Sequence, residues 1–225
     1  MATETRRKHA ARPERVVLRG VLWRTYLDLR HRSSNDRLRM TYLDGTLILM
    51  SPQYIHDKSG WRLAMVVDWV TAALRIPCQG TATTTLSREG PGPRKGSGKE
   101  PDYGFYFGEN EPRMRTKEQI DLNVDPPPDL AIEVDNKADS SKTLPIYARL
   151  GVPEVWRYQV KSKSLWFGRL AGDSYEPIDR SLHLPRLTPA LVLQALEVAD
   201  RLGESEWKLW LLDWARGLPE APPTP

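Results

Sequence analysis

Asp129-Leu130-Ala131-Ile132-Glu133-Val134-Asp135, entered through Pro126-Pro127-Pro128, alternates acids with aliphatics. Successive side chains of an extended chain point to opposite faces. Read as a strand, the segment places Asp129, Glu133 and Asp135 on one face and Leu130, Ile132 and Val134 on the other. Asp102-Tyr103-Gly104-Phe105-Tyr106-Phe107 has the same character, with Asp102, Gly104 and Tyr106 opposite Phe105 and Phe107. If the two strands pair, Asp102 and Glu133 converge beside small residues and leave room for an ion. Two such carboxylates at ~4 Å repel by about 4 kcal/mol at an effective dielectric near 20. A hard divalent cation reverses the sign of that interaction, and Mg²⁺ prefers one or two carboxylates plus water and phosphate oxygens. A half-exposed strand carries the same alternation with no metal, so spacing alone leaves both readings open.

Around these strands the chain alternates further elements. Residues 1–15 carry Arg6, Arg7, Lys8, Arg12 and Arg15 and read as a disordered basic arm. Residues 16–29 hold a short helix around Trp23 and Tyr26. Asp44-Gly45 within residues 39–50 is a hairpin signal. Leu63, Val66, Val67, Val70 and Leu74 recur at spacings of three and four, one face of a helix that Pro77 ends. Residues 81–86 read as a β-branched strand, and residues 88–99, rich in glycine, proline and basic residues, as a loop. Ser140 and Ser141 offer N-caps for a helix that runs to Leu150 and ends at Gly151, with Pro145 in its first turn. Residues 155–160 and 165–170 form a hairpin-like pair, residues 191–214 close the chain helically, and residues 216–225 form a loose proline-rich tail. The organisation expected is one domain over residues 16–215.

Composition narrows the class. Cys78 is the one cysteine, which excludes an intrachain disulfide and a cysteine zinc cluster and fits a reducing cytoplasm. No apolar run approaches the ~20 residues that span a bilayer, and the basic start is no secretory signal. A net charge of +4 is compatible with a polyanionic partner without requiring one. Among the tryptophans Trp61, Trp69, Trp156, Trp166, Trp207, Trp210 and Trp214, base stacking competes with a core role, and the core role is favoured. Trp207, Trp210 and Trp214 follow helical spacing as one packing stripe.

The segment 127–134, followed by Tyr147-Ala148-Arg149-Leu150-Gly151-Val152-Pro153-Glu154-Val155-Trp156-Arg157, resembles the Uma-type putative restriction endonuclease family. So do Asp44-Gly45-Thr46-Leu47 with Met50-Ser51-Pro52 and His56, and Glu100-Pro101-Asp102 ahead of an aromatic strand. That family is similar to the PD-(D/E)XK nuclease superfamily. The resemblance implies an α/β (α+β) restriction-endonuclease-like core: a mixed β-sheet flanked by helices, with an N-terminal β-hairpin and a C-terminal helix. It implies that Pro101-Asp102 is the first catalytic motif and that Glu133 opens the second. The superfamily's lysine, two residues after that acid, is replaced here by Asp135. Family members supply it from the following helix, where Lys142 lies one residue before the usual place, Thr143, and Lys137 is the fallback.

The resemblance therefore implies metal-dependent hydrolysis of phosphodiester bonds, in DNA, with Mg²⁺ or Mn²⁺ held by Asp102 and Glu133. The backbone carbonyl of Val134 is a candidate to complete the shell. Asp135 is a third ligand or the ion-pair partner of Lys142 or Lys137, and Asp129 a supporting or strand-starting residue. His56 orients water or phosphate, or else caps or packs the long helix. Ile48 stands where several relatives carry Glu, so the hairpin offers no ligand. Arg88, Arg94, Lys95 and Lys99 are the nucleic-acid contact candidates, against a plain solvated loop. A homodimer is expected by analogy. The rival readings are a nucleic-acid-binding pseudonuclease and an interaction module whose aromatic C-terminal helix is a dimer face.

Overall fold

The computed structural model describes residues 15–35, 38–50, 54–135 and 143–220, with residues 54–56 in backbone only. Two sheets carry the architecture. The first joins β1 (Arg15–Arg19), β2 (Arg39–Leu43), β3 (Thr46–Met50), β5 (Leu86–Glu89) and β6 (Gly96–Lys99) in the order β1-β3-β2-β6-β5, antiparallel throughout. The second runs β11 (Ser174–Pro177), β10 (Ser164–Ala171), β9 (Glu154–Gln159), β8 (Leu130–Asp135), β7 (Tyr103–Phe107) and β4 (Cys78–Gly80). It is mixed: β8 and β9 are parallel, and the other pairs are antiparallel. Six α-helices accompany the sheets among the described residues: α1 (Trp23–Arg30), α2 (Tyr54–Leu74), α3 (Asn110–Met114), α4 (Leu144–Leu150), α5 (Pro189–Ala199) and α6 (Glu204–Arg216). No helix among them is long and apolar enough to cross a membrane.

Strand alternation decides what lies on each face of the second sheet. Phe105, Phe107, Leu130, Ile132, Val134 and Trp156 pack against Leu63, Val66, Val67 and Val70 of α2 and against Trp207 and Leu211 of α6. The opposite face carries Ala131 and Val155 under Ile146, Tyr147 and Leu150 of α4. Because Glu133 and Asp135 alternate with the first set, they belong to the α4 face, the side that meets the first sheet. Asp44-Gly45 makes the β2–β3 hairpin with φ of 42° and 85°, the doubly positive turn this dipeptide favours. Asp44 then receives Arg149 of α4 at 2.7 Å and Lys95 at 3.2 Å, tying the hairpin to the second sheet's helix. The Arg149 guanidinium leads in holding the Asp44 carboxyl down to about 2, against the opposing effect of burial.

Several elements differ from the sequence expectation for physical reasons. Residues 88–99 are not a loop. They supply the second half of β5 and all of β6, joined by a tight turn. Their glycines are there for packing: a Cβ on Gly96 would lie 2.6 Å from Trp23, and one on Gly98 within 2.5 Å of the ring carbon bearing the Tyr26 hydroxyl. Glycine in a strand marks such a close approach. Residues 81–86 contribute only Leu86 to a strand; Thr84 Oγ1 instead closes a turn onto the Thr81 carbonyl at 2.6 Å. The C-terminal helix is two, with Gly203 the extended N-cap of α6. Helix α4 begins at Leu144 after Thr143, has Pro145 in its first turn, and ends at Gly151 with φ 82°. Ser140 and Ser141 lie outside the described residues, as do residues 1–14 of the basic arm.

Glu154 is fully buried and accepts hydrogen bonds from Trp156 Nε1 at 2.5 Å, Ser181 Oγ at 3.1 Å and Leu182 N at 3.0 Å. Burial still dominates and pushes its carboxyl up to about 7. The native state therefore binds a proton that the unfolded chain has already released. This contribution to stability is complete below the unfolded value of 4.5 and is lost as pH rises to about 7. The two values correspond to about 3 kcal/mol at most. Denaturant titrations from pH 4 to pH 8 are expected to show a steeper decline for wild type than for Glu154→Gln. Parallel profiles would contradict this assignment.

Candidate active site

The antiparallel register of β7 and β8 pairs Tyr103 with Ile132 and Gly104 with Ala131, which carries Asp102 to the level of Glu133. Asp102 N donates to the Ile132 carbonyl at 3.0 Å, and Val134 N donates to Asp102 Oδ2 at 2.7 Å. The carboxylate of Asp102 thus folds over the end of β8. Both acids are buried, Asp102 at 6% and Glu133 at 5% exposure.

Three cations answer three acids here. Lys99 Nζ lies 3.0 Å from Glu133 Oε1, Arg157 Nη2 3.0 Å from Asp135 Oδ2, and Arg39 Nη2 3.9 Å from Asp102 Oδ1. Arg157 reaches Asp135 because the parallel register sets Arg157 beside Glu133, two residues earlier on the same face. Lys99 reaches Glu133 from the last position of β6, opposite Thr41 of β2. Its ammonium also donates to the Glu100 carbonyl at 3.0 Å and stands 5.9 Å from the centre of the Tyr147 ring. The Tyr147 hydroxyl donates to Glu133 Oε1.

Glu133 is held above the ordinary glutamate range, chiefly by burial and further by the charge of Asp102, while Lys99 and Tyr147 pull the other way. Tyr147 is held well above the usual phenol range by burial and by Glu133. A raised, buried carboxyl beside a second carboxylate marks a candidate functional site. Among the described residues no group of three or more His, Cys, Asp and Glu side chains is arranged to hold a metal ion. The pair nevertheless suits one. The repulsion that Asp102 imposes on Glu133 is what a divalent cation relieves, and Mg²⁺ commonly uses only one or two protein carboxylates.

The structure brings together Asp102, Glu133 and Asp135 of the expected residues, with Val134 contributing its N–H to Asp102 while its side chain joins the opposite core. Asp129 stays at the start of β8, where it accepts from Phe107 N at 2.7 Å and Asn110 Nδ2 at 2.8 Å. His56 is in the first turn of α2, its side chain outside the described residues, as are Lys137 and Lys142. Of the basic set, Lys99 is buried in the site rather than displayed on a loop. Arg88 hooks the Leu122 carbonyl at 3.1 and 3.2 Å and the Arg149 carbonyl at 3.3 Å. Arg94 and Lys95 are exposed at the β5–β6 turn. Trp156 and Trp207 are core residues, and Trp61, Trp69, Trp210 and Trp214 pack against that core. Sequence reading missed Arg39, Tyr147 and Arg157 as site residues. For Tyr147 the signal was a hydroxyl on the same helical stripe as Ile146 and Leu150.

Comparison with curated protein sequences finds no match. Among solved structures, the chain is similar to the crystal structure of a putative nuclease belonging to DUF820 from Anabaena variabilis. The identity is 16%, the TM-score 0.43, and the match covers 76% of this chain and 90% of that one. The family model described as Uma2, putative restriction endonuclease, matches residues 23–201. This chain, with its mixed sheet, flanking helices and N-terminal hairpin, belongs to the Uma2 family of putative restriction endonucleases.

Proposed function

We propose that the protein is a metal-dependent endonuclease that hydrolyses phosphodiester bonds, with DNA as its substrate. The observation that carries this reading is the convergence of two buried carboxylates, Asp102 and Glu133, from paired strands onto one buried cluster with a lysine. Asp102 and Glu133 would hold one Mg²⁺ or Mn²⁺, which when bound supplies Lewis acidity and an activated water. Val134 N fixes the orientation of Asp102, and Tyr147 fixes that of Glu133. Arg157 pairs with Asp135 beside them, and Asp135 serves either as a third ligand or as a supporting acid. His56, Lys137 and Lys142 remain candidates for water or phosphate contact, and exposed Arg94 and Lys95 for contact with the nucleic-acid backbone. Work in a reducing cytoplasm, as a homodimer that cuts both strands, completes the reading.

One observation favours a second reading. Each site acid already faces an internal cation, the arrangement a nucleic-acid-binding pseudonuclease would keep. Purified protein is to be incubated with supercoiled DNA, single-stranded DNA and RNA in Mg²⁺, Mn²⁺ or EDTA. Nicking of DNA with either cation and none in EDTA is expected. Binding without cleavage on every substrate would establish the pseudonuclease, and cleavage that survives EDTA would remove the metal from the account.

A further inference from the structure

We infer that Lys99 is an internal counter-ion of the cation site, occupying Glu133 until metal and phosphate arrive together, so that the two bind cooperatively. The inference rests on the metal-site reading above and adds to it a coupling between ligands. Lys99 is buried with its Nζ 3.0 Å from Glu133 Oε1. An ammonium removed from water loses solvation that a single ion pair barely repays, so such a pair is weak evidence of a purely stabilising role.

A divalent cation on the same carboxylates competes with that ammonium for Glu133 and repels it. Lys99 has the means to yield. Its stem is flexible, and its second partner, the Glu100 carbonyl at 3.0 Å, does not belong to the pair of acids. What it lacks once the cation is seated is a new anion, and a nucleic-acid phosphate is one. Arg39 stands in the same relation to Asp102. Its Nη2 is 3.9 Å from Oδ1, beyond hydrogen-bond range, and its Nη1 is buried with no hydrogen-bond partner among the described residues. The site acids are thus charge-matched from within. The cation alone must displace Lys99 with no compensation, whereas cation plus phosphate re-pairs every charge. Linkage makes this reciprocal: phosphate tightens the cation as much as the cation tightens phosphate.

Mn²⁺ alone is titrated calorimetrically into wild type and Lys99→Met, and DNA cleavage is followed in parallel. Removal of the internal competitor is expected to tighten Mn²⁺ binding by about 5- to 150-fold, the usual range of a coupling between two sites, while slowing cleavage. A lysine that merely held Glu133 in place would leave Mn²⁺ affinity unchanged or weaker on removal. With Ca²⁺, which avoids turnover, a short DNA duplex is expected to tighten cation binding more in wild type than in Lys99→Met. Lys99→Gln, which keeps a donor to Glu133 without the charge, repeats both titrations if the methionine variant does not fold. Mn²⁺ binding in wild type that fails to tighten in the uncharged variants overturns the inference and leaves the metal site standing. No Mn²⁺ binding by wild type or by either Lys99 variant, with or without the duplex, overturns the metal reading and this inference with it.

Discussion

Asp102→Asn is expected to lower the single-turnover rate of DNA cleavage by at least about a thousandfold, while the protein stays folded. The two halves have separate causes. The amide oxygen of Asn still accepts from Val134 N, the 2.7 Å bond that seats residue 102 over the end of β8. The lost negative charge is half of the carboxylate pair that would hold the cation, and a bound metal contributes several kcal/mol to the transition state, each ~1.4 kcal/mol being tenfold in rate. Removing one of two repelling acids also relieves Glu133, whose carboxyl is held up in part by Asp102. A thermal melt should therefore show no loss of cooperativity. Near-wild-type cleavage by a folded Asp102→Asn would show that Asp102 is not in the active site. Glu133→Gln is a less clean substitution, because its amide would face both Lys99 and the Tyr147 hydroxyl.

The largest expected effect on stability is at Trp156. Its ring is fully buried and stacked on Phe167, with centroids 4.2 Å apart and planes at 10°. Its indole N–H is also a donor to buried Glu154. Trp156→Ala is expected to cost about 3–5 kcal/mol by the behaviour of large-to-small core changes, with the lost donor adding to it. Against a typical total of about 5–15 kcal/mol, that leaves the fold marginal. Trp156 is paired in register with Ile132, next to Glu133, so cleavage should fall with the folded fraction. Trp156→Phe, which keeps the stacking and loses the N–H, should fall between the two in chemical denaturation. A Trp156→Ala protein as stable as wild type would mean that β9 is not a central strand.

Features fixed by local chemistry were legible in the sequence. Asp44-Gly45 encodes its turn through the two positive φ values that few residue pairs accept. The three-and-four spacing from Leu63 to Val70 buries one face of α2. The alternation in β7 and β8 set Phe105, Leu130 and Ile132 on the face opposite Glu133, where the structure has them. The partnership of Asp102 and Glu133 depended on pairing of those strands, and they pair.

What stayed hidden depended on distant chain. Gly96 and Gly98 have a loop's composition, yet they are glycines because Trp23 and Tyr26, some seventy residues earlier, occupy the space a Cβ would need. With β6 unseen, Lys99 read as a solvated contact rather than a buried partner of Glu133. Arg157 joined Asp135 only through the parallel β8–β9 register, which neither strand's own sequence specifies.

The central claim is that Asp102 and Glu133 form one cation site, and Mn²⁺ binding tests it most directly. Titration of wild type in the presence of a short DNA duplex, with Asp102→Asn and Glu133→Gln beside it, is the measurement to make. The account predicts saturable binding of Mn²⁺ by wild type and its loss in both variants, each shown by circular dichroism to be folded. Undiminished Mn²⁺ binding by either folded variant would contradict it.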